Sequence, residues 1–306
     1  MMTSTRKNLD GFAVTTMIML CICWGLQQVA VKIAVPIISS SMQLGLRSGL
    51  AAVLVLCLIL VKRIPFSVRD GSFLPGMLAG SLFAAEFMCI SIGLNYTSAS
   101  HMSVFLYTAP IFTVIGLHWL IPSERMQASQ WLGIISAFAG VAIAFSAAFQ
   151  TNSHALSDIL IGDAFGIAGG ILWAATTVAI RRSKLSEAQP TTTLLYQLLG
   201  AAVLLLLFSA LKGEFQAEKF YPQDWGISIW LNLLFQTIII AFASYLTWFW
   251  LLRRYLASRL SVFSFLTPLF GVAAGVLLLD DPISPSFLLG AILVLVGIVL
   301  VNFRRN

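Results

Sequence analysis

The segment Ala99-Ser100-His101-Met102-Ser103-Val104-Phe105-Leu106-Tyr107-Thr108-Ala109-Pro110-Ile111-Phe112 returns 158 positions later as Ala257-Ser258-Arg259-Leu260-Ser261-Val262-Phe263-Ser264-Phe265-Leu266-Thr267-Pro268-Leu269-Phe270, with seven of the fourteen positions identical. Apolar segments resemble one another by composition alone, but matched Ser, Pro and Phe positions in one order are harder to reach by chance. The repeat extends outward from this stretch. Trp24 aligns with Trp173, Ala51-Ala52-Val53-Leu54 with Ala201-Ala202-Val203-Leu204, Gly133 with Gly290, and Gly140 with Gly297. The chain therefore divides into two related halves, residues 1–150 and 151–306.

Of the 306 residues, 59% are hydrophobic and 10% charged, with a mean hydropathy of +0.93. A soluble domain is about 25% charged, so lipid must solvate part of this apolar surface. A spanning helix needs about 20 mainly apolar residues. Ten segments qualify: 12–35, 41–62, 73–94, 98–121, 128–149, 160–181, 191–211, 225–252, 257–279 and 284–303. Turn and charge signals separate them, among them Ile64-Pro65, Arg181-Arg182-Ser183-Lys184 and Asp280-Asp281-Pro282. The first run is too long for a cleaved signal and reads as a retained helix. Short loops leave no room for a soluble domain.

Lys and Arg set the orientation. With the N-terminus inside, 14 of the 18 basic residues fall on inner loops and termini, and Lys32, Lys212 and Lys219 fall outside. Both termini are thus expected in the cytoplasm. The net charge of +6 follows this loop bias and forms no nucleic-acid footprint. Five helices per half is an odd number, so the second half must lie inverted. Inverted repeats characterise secondary transporters, with a substrate site near the midplane between the halves. The fold expected is an all-α membrane protein of ten helices around a central cavity.

Several chemistries are absent from the sequence. No G-x-x-x-x-G-K-[ST] phosphate loop occurs, nor a His-Glu-x-x-His or Gly-x-Ser-Gly motif, so neither ATP-driven transport nor an intramembrane enzyme is indicated. Cys21, Cys23, Cys57 and Cys89 all lie in apolar runs, and Cys21 and Cys23 point to different helix faces. They read as packing residues, with no metal or other cofactor expected.

At Trp24-Gly25, Arg47, Tyr96-Thr97-Ser98-Ala99-Ser100, Thr108-Ala109-Pro110, the Glu124-Arg125 turn, Thr267-Pro268 and Gly290, the chain resembles the drug/metabolite transporter superfamily. Within it the likeness is to the bacterial ten-helix EamA-type members, including the aromatic amino-acid exporters of the YddG type. The second-half turn departs from the pattern, reading Asp280-Asp281-Pro282 where relatives commonly have Gly-Glu. The resemblance implies a bacterial inner-membrane protein whose cavity opens alternately to either side. It also implies export of amino acids or similar zwitterions without ATP. The alternatives are a drug or other metabolite exporter of the same superfamily, or a channel or sensor. Protons are a candidate second partner, and oligomeric state is left open.

Polar groups inside the bilayer are the candidate site, because a charge at a helix centre costs about 2.5–3.5 kcal/mol. Residue counts place Glu86 roughly 12 Å deep and Arg47 roughly 10 Å deep at 1.5 Å per residue. Gln27 and Gln28 lie at comparable depth, with His101 shallower. One reading has Glu86 and Arg47 contacting an amino acid's ammonium and carboxylate, or Glu86 and His101 handling protons. The other has Arg47 and Glu86 as an ion pair locking helices 2 and 3. The repeat places Gln197 opposite Arg47, Ser244 opposite Glu86, and Thr176-Thr177 opposite Gln27-Gln28, so the second half lacks these charges. Trp24, Tyr107, Trp173, Tyr245 and Trp248 sit within spans, either lining the cavity or packing. Pro110 and Pro268 break helices 4 and 9 at matched positions, as hinges or as packing kinks.

Overall fold

A run of about twenty apolar residues in lipid must satisfy its own backbone, which a helix does within one segment. The computed structural model describes residues 6–67, 69–97, 99–146, 156–215, 221–279 and 285–302. The first half holds α1 (Gly11–Ala34), α2 (Ser40–Val61), α3 (Phe73–Gly93), α4 (Ala99–Leu106) continued by α5 (Ala109–Leu120), and α6 (Ala128–Ala144). The second holds α7 (Leu156–Arg182), α8 (Pro190–Leu211), α9 (Ile227–Phe235), α10 (Tyr245–Arg254), α11 (Ala257–Phe263) continued by α12 (Leu266–Leu279), and α13 (Pro285–Asn302). Among the described residues nine helical spans are long and apolar enough to cross a membrane, and α6 is a shorter apolar helix. The ten expected spans all fall on helices.

Two features refine that expectation. The fourth and ninth spans are broken, at Tyr107-Thr108 and at Ser264-Phe265. Pro110 and Pro268 then stand in the first turns of α5 and α12, where a missing N–H is tolerated. The eighth span runs from α9 to α10 through a π-helical stretch, Gln236–Ser244, which no Gly or Pro in the sequence announces. The Asp280-Asp281-Pro282 turn lies outside the described residues.

The halves are interleaved. The most extensive interfaces, α6 with α13, α3 with α7, α2 with α8, α3 with α8 and α1 with α12, all join one half to the other. At the α6–α13 crossing a Cβ on Gly133 would sit 2.7 Å from the Gly297 carbonyl oxygen, and one on Gly140 2.6 Å from that of Gly290. Such close backbone approach is how small residues let helices pack in lipid. A two-fold exchange of α6 and α13 carries Gly133 to Gly290 and Gly297 to Gly140, mapping one contact onto the other. The two helices therefore run antiparallel about that point. Leu60, Val61, Leu74, Leu211 and Leu277 face outward from the bundle as its lipid-exposed surface.

Candidate functional site

Where the spans diverge they enclose a cavity of about 200 Å³. Its walls come from both halves: α1 gives Trp24 and Gln27, α3 gives Phe83, Glu86 and Phe87, α7 gives Trp173, Thr176 and Thr177, and α10 gives Tyr245, Trp248 and Phe249. Tyr107, at the break between α4 and α5, and Gln197 of α8 complete the middle. The cavity reaches Ser40 and Leu94 at one end, where Leu94 is 37% exposed, and Ile180 and Phe249 at the other.

The aromatic residues expected either to line the cavity or to pack do both. Trp24 meets Trp248 edge-on with centroids 5.8 Å apart, and Tyr107 meets Trp173 in the same way at 5.7 Å. The Trp24 indole N–H donates to the Ser244 hydroxyl at 3.0 Å, which fixes the ring. Ser244 is the repeat counterpart of Glu86, so equivalent positions of the two halves serve different ends. The uncharged counterparts Thr176, Thr177 and Gln197 also face the cavity.

Glu86 is the one charged side chain among the described lining residues. It is 6% exposed, and among the described residues no hydrogen bond or ion pair engages its carboxylate. The ion pair with Arg47, one of the two readings of these residues, is not formed. Arg47 is 1% exposed and does not line the cavity; its Nη2 donates to the Tyr245 hydroxyl at 3.1 Å and its guanidinium lies 5.7 Å from the Phe87 ring centroid. The Arg47 Nε and Nη1 are buried without a partner. Arg47 meets α3 at Phe87, the residue after Glu86; successive helix residues are turned about 100° from one another, so Arg47 packs on Phe87 while Glu86 faces the cavity. Gln27 lines the cavity with its Oε1 buried and unpartnered. The side chains of Gln28 and His101 lie outside the described residues.

Sequence reasoning missed a second buried layer beyond Ile180. Arg181, at the end of α7, pairs with Glu124, which lies in the turn after α5. The Glu124 carboxylate also accepts the Ala257 N–H at 3.1 Å, the Ser258 N–H at 3.0 Å and the Ser258 hydroxyl at 2.7 Å, and Arg181 donates to the Leu252 carbonyl at 3.2 Å. Four chain segments are thereby tied together at the terminus-bearing end of the cavity. Outside this layer the N-terminal residues cross the bundle. The Lys7 N–H donates to the Arg254 carbonyl at 2.9 Å, the Leu256 N–H to the Lys7 carbonyl at 3.2 Å, and the Tyr255 hydroxyl to Asp10 at 2.8 Å. The sequence signal was Glu124, a lone acid in a loop on the basic side.

Comparison with known proteins bears on this geometry. The EamA-like transporter family matches residues 11–146 and again 160–303. A Salmonella typhimurium protein named "Probable amino-acid metabolite efflux pump" is 24% identical over 94% of this chain and 93% of its own. The uncharacterized transporter YoaV of Bacillus subtilis is 24% identical over 92% of this chain and 93% of its own, and an uncharacterized transporter of Archaeoglobus fulgidus is 29% identical over 92% and 95%. A solved crystal structure superposes with a TM-score of 0.79 at 18% identity, covering 97% of this chain and 100% of that one. At that identity the likeness is one of fold.

Proposed function

Because the chain belongs to the EamA-like transporter family, we propose that it exports small metabolites carrying an ammonium group and an apolar or aromatic body, amino acids foremost. The movement is secondary transport by alternating access, across a bacterial inner membrane with both termini in the cytoplasm. One observation carries this reading: Glu86, the one carboxylate among the described lining residues and without a partner among them, in a cavity walled by indole, phenol and phenyl rings. A cation desolvated in such a site gains from the carboxylate and from the ring faces together. The Thr176, Thr177, Gln27 and Gln197 side chains supply neutral hydrogen-bonding groups for the rest of the substrate. The Salmonella and Escherichia coli relatives named as amino-acid metabolite efflux pumps, at 24% and 22% identity, point the same way.

In this reading Glu86 takes the ammonium group, or a proton in its absence. The Glu124–Arg181 layer shuts the cytoplasmic end while the opposite end is accessible, and the breaks before Pro110 and Pro268 are the hinges for the exchange.

A second reading, a drug or amine exporter, is favoured by the lack of any cationic side chain among the described lining residues to meet a substrate carboxylate. Counterflow in proteoliposomes decides between them. Tryptophan and tyrosine are compared with tryptamine and tyramine, which lack the carboxylate. Saturable exchange of the amino acids supports the first reading, and exchange confined to the amines supports the second. Flux that does not saturate with either would indicate a channel and overturn both.

A further inference from the structure

Below the gate layer, on the face that carries the N-terminus, lies a separate open crevice of about 950 Å³. Four cationic side chains line it, Arg6 and Lys7 from the N-terminal strap and Arg253 and Arg254 from the end of α10, against one acid, Glu187. The guanidinium groups are held in place by neutral partners. Arg6 Nη2 donates to the Ser186 carbonyl at 2.9 Å, Arg253 Nη1 to the Gln189 side chain at 3.0 Å, and Arg254 stacks over Trp250 at 4.1 Å from the ring centroid. The Arg6 Nε is buried with no hydrogen-bond partner. Burial lowers the Arg6 pKa from its ordinary value, Glu187 opposes this, and the like charge of Arg253 adds to it. Preorganised guanidinium groups with spare donors and too few carboxylates fit a phosphate oxyanion.

The surroundings select where that phosphate comes from. The crevice lies at the ends of α1, α8 and α10, the level at which lipid headgroups meet a spanning protein. Trp250 forms its wall and packs edge-on against Phe12 at 5.7 Å, and Phe12 is 62% exposed. An apolar shelf thus continues from the basic crevice onto the bilayer-facing surface. We propose that this crevice, bounded by Arg6, Lys7, Arg253 and Arg254, binds the phosphodiester headgroup of an anionic lipid, with the acyl chains running past Trp250 and Phe12. Basic pockets between spanning helices recognise anionic headgroups in this manner. The site is distinct from the central cavity and does not rest on the identity of the transported substrate.

The test uses the full-length protein in detergent, titrated separately with dioleoyl phosphatidylglycerol, dioleoyl phosphatidylcholine and inorganic phosphate. Bound lipid is counted by native mass spectrometry. The expected result is about tenfold or greater preference for phosphatidylglycerol over phosphatidylcholine. The preference should fall below about threefold in the Arg6→Gln/Arg253→Gln variant. It should persist in Arg125→Gln, which removes an exposed arginine outside the crevice. Equal affinity of the wild-type protein for the two lipids overturns the proposal, and this arm needs no variant to fold. Survival of the preference in a folded double variant overturns it as well. So does saturation by inorganic phosphate with no added advantage for the lipid, which would make the crevice a site for a free anion.

Discussion

Glu86 and Glu124 are both buried carboxylates of the first half, 6% and 1% exposed, and the fold treats them in opposite ways. Glu124 is paired with Arg181 and accepts three further hydrogen bonds from Ala257 and Ser258. Glu86 stands on a cavity wall with neither hydrogen bond nor ion pair among the described residues. A buried charge is tolerated when its lone pairs are used, and is costly when they are not. The first arrangement is what a structural clasp needs. The second leaves a carboxylate free for something that comes and goes. Burial alone would have ranked the two residues alike; their partners separate them.

The most severe way to break this contrast is at the clasp. Glu124→Gln leaves the Arg181 guanidinium buried without a counter-charge, and losing one partner of such a pair costs about 3–5 kcal/mol. We expect a large drop in melting temperature in detergent. Combining it with Arg181→Met should recover much of the loss, because the orphaned charge is then gone. A Glu124→Gln protein that melts like wild type would show that the layer contributes little to stability.

Glu86→Gln should do the reverse. Its buried carboxylate has no partner among the described residues, so the neutral amide should not lower stability. Proteoliposome flux of a cationic or zwitterionic substrate should fall about 100-fold, the scale of losing one member of a desolvated charge pair. Any dependence of flux on pH that Glu86 carries should vanish with it. Reduced stability with unchanged flux would place Glu86 beside Glu124 as a structural residue. Normal melting together with normal flux at every pH would leave it with neither role.

These expectations show where sequence was informative. The spans were legible because about 20 apolar residues are needed to cross lipid, and the breaks near Pro110 and Pro268 because proline removes a backbone donor. Residue count gives height along a helix, but it does not give azimuth. Arg47 and Glu86 were set at one height on consecutive helices, but Arg47 turns toward Tyr245 and Phe87, and Glu86 toward the cavity. The Glu124–Arg181 contact joins positions 57 apart, one in a turn and one in the last turn of α7, where charges ordinarily read as solvated. The π-helical stretch at Gln236–Ser244 holds no Gly or Pro that would have marked it in the sequence.

A smaller effect is expected behind the cavity wall. Tyr245→Phe removes the one hydrogen bond that Arg47 makes among the described residues, and a bond to a charged group is worth about 1.5–3 kcal/mol. Melting temperature should fall, and Arg47→Met in the same chain should restore part of it. If Tyr245→Phe instead reduces flux with no loss of stability, the hydroxyl serves the substrate, and Arg47 is held by its packing on Phe87.

The smallest effect lies outside the membrane, where the strap meets the bundle. Asp10 accepts the Ala13 N–H at 2.9 Å as the N-cap of α1, and its other oxygen accepts the Tyr255 hydroxyl. The bond from the Ala13 backbone first, and that from Tyr255 second, hold its carboxyl below the usual carboxylate range. A depressed folded-state pKa means that the stabilising contribution is fully present above the unfolded value of about 3.9. It is then lost as pH falls through the lower folded value. Asp10→Asn preserves the capping geometry, since Asn caps a helix about as well as Asp, and removes only the charge. The wild-type melting temperature should therefore exceed that of Asp10→Asn slightly at pH 7, with the gap closing below about pH 4. A gap that stays constant from pH 7 down to pH 3 would mean that geometry, and not ionisation, makes Asp10 useful. The strap would then be insensitive to acid at this residue, leaving its cationic side chains as the groups through which charge acts on that face.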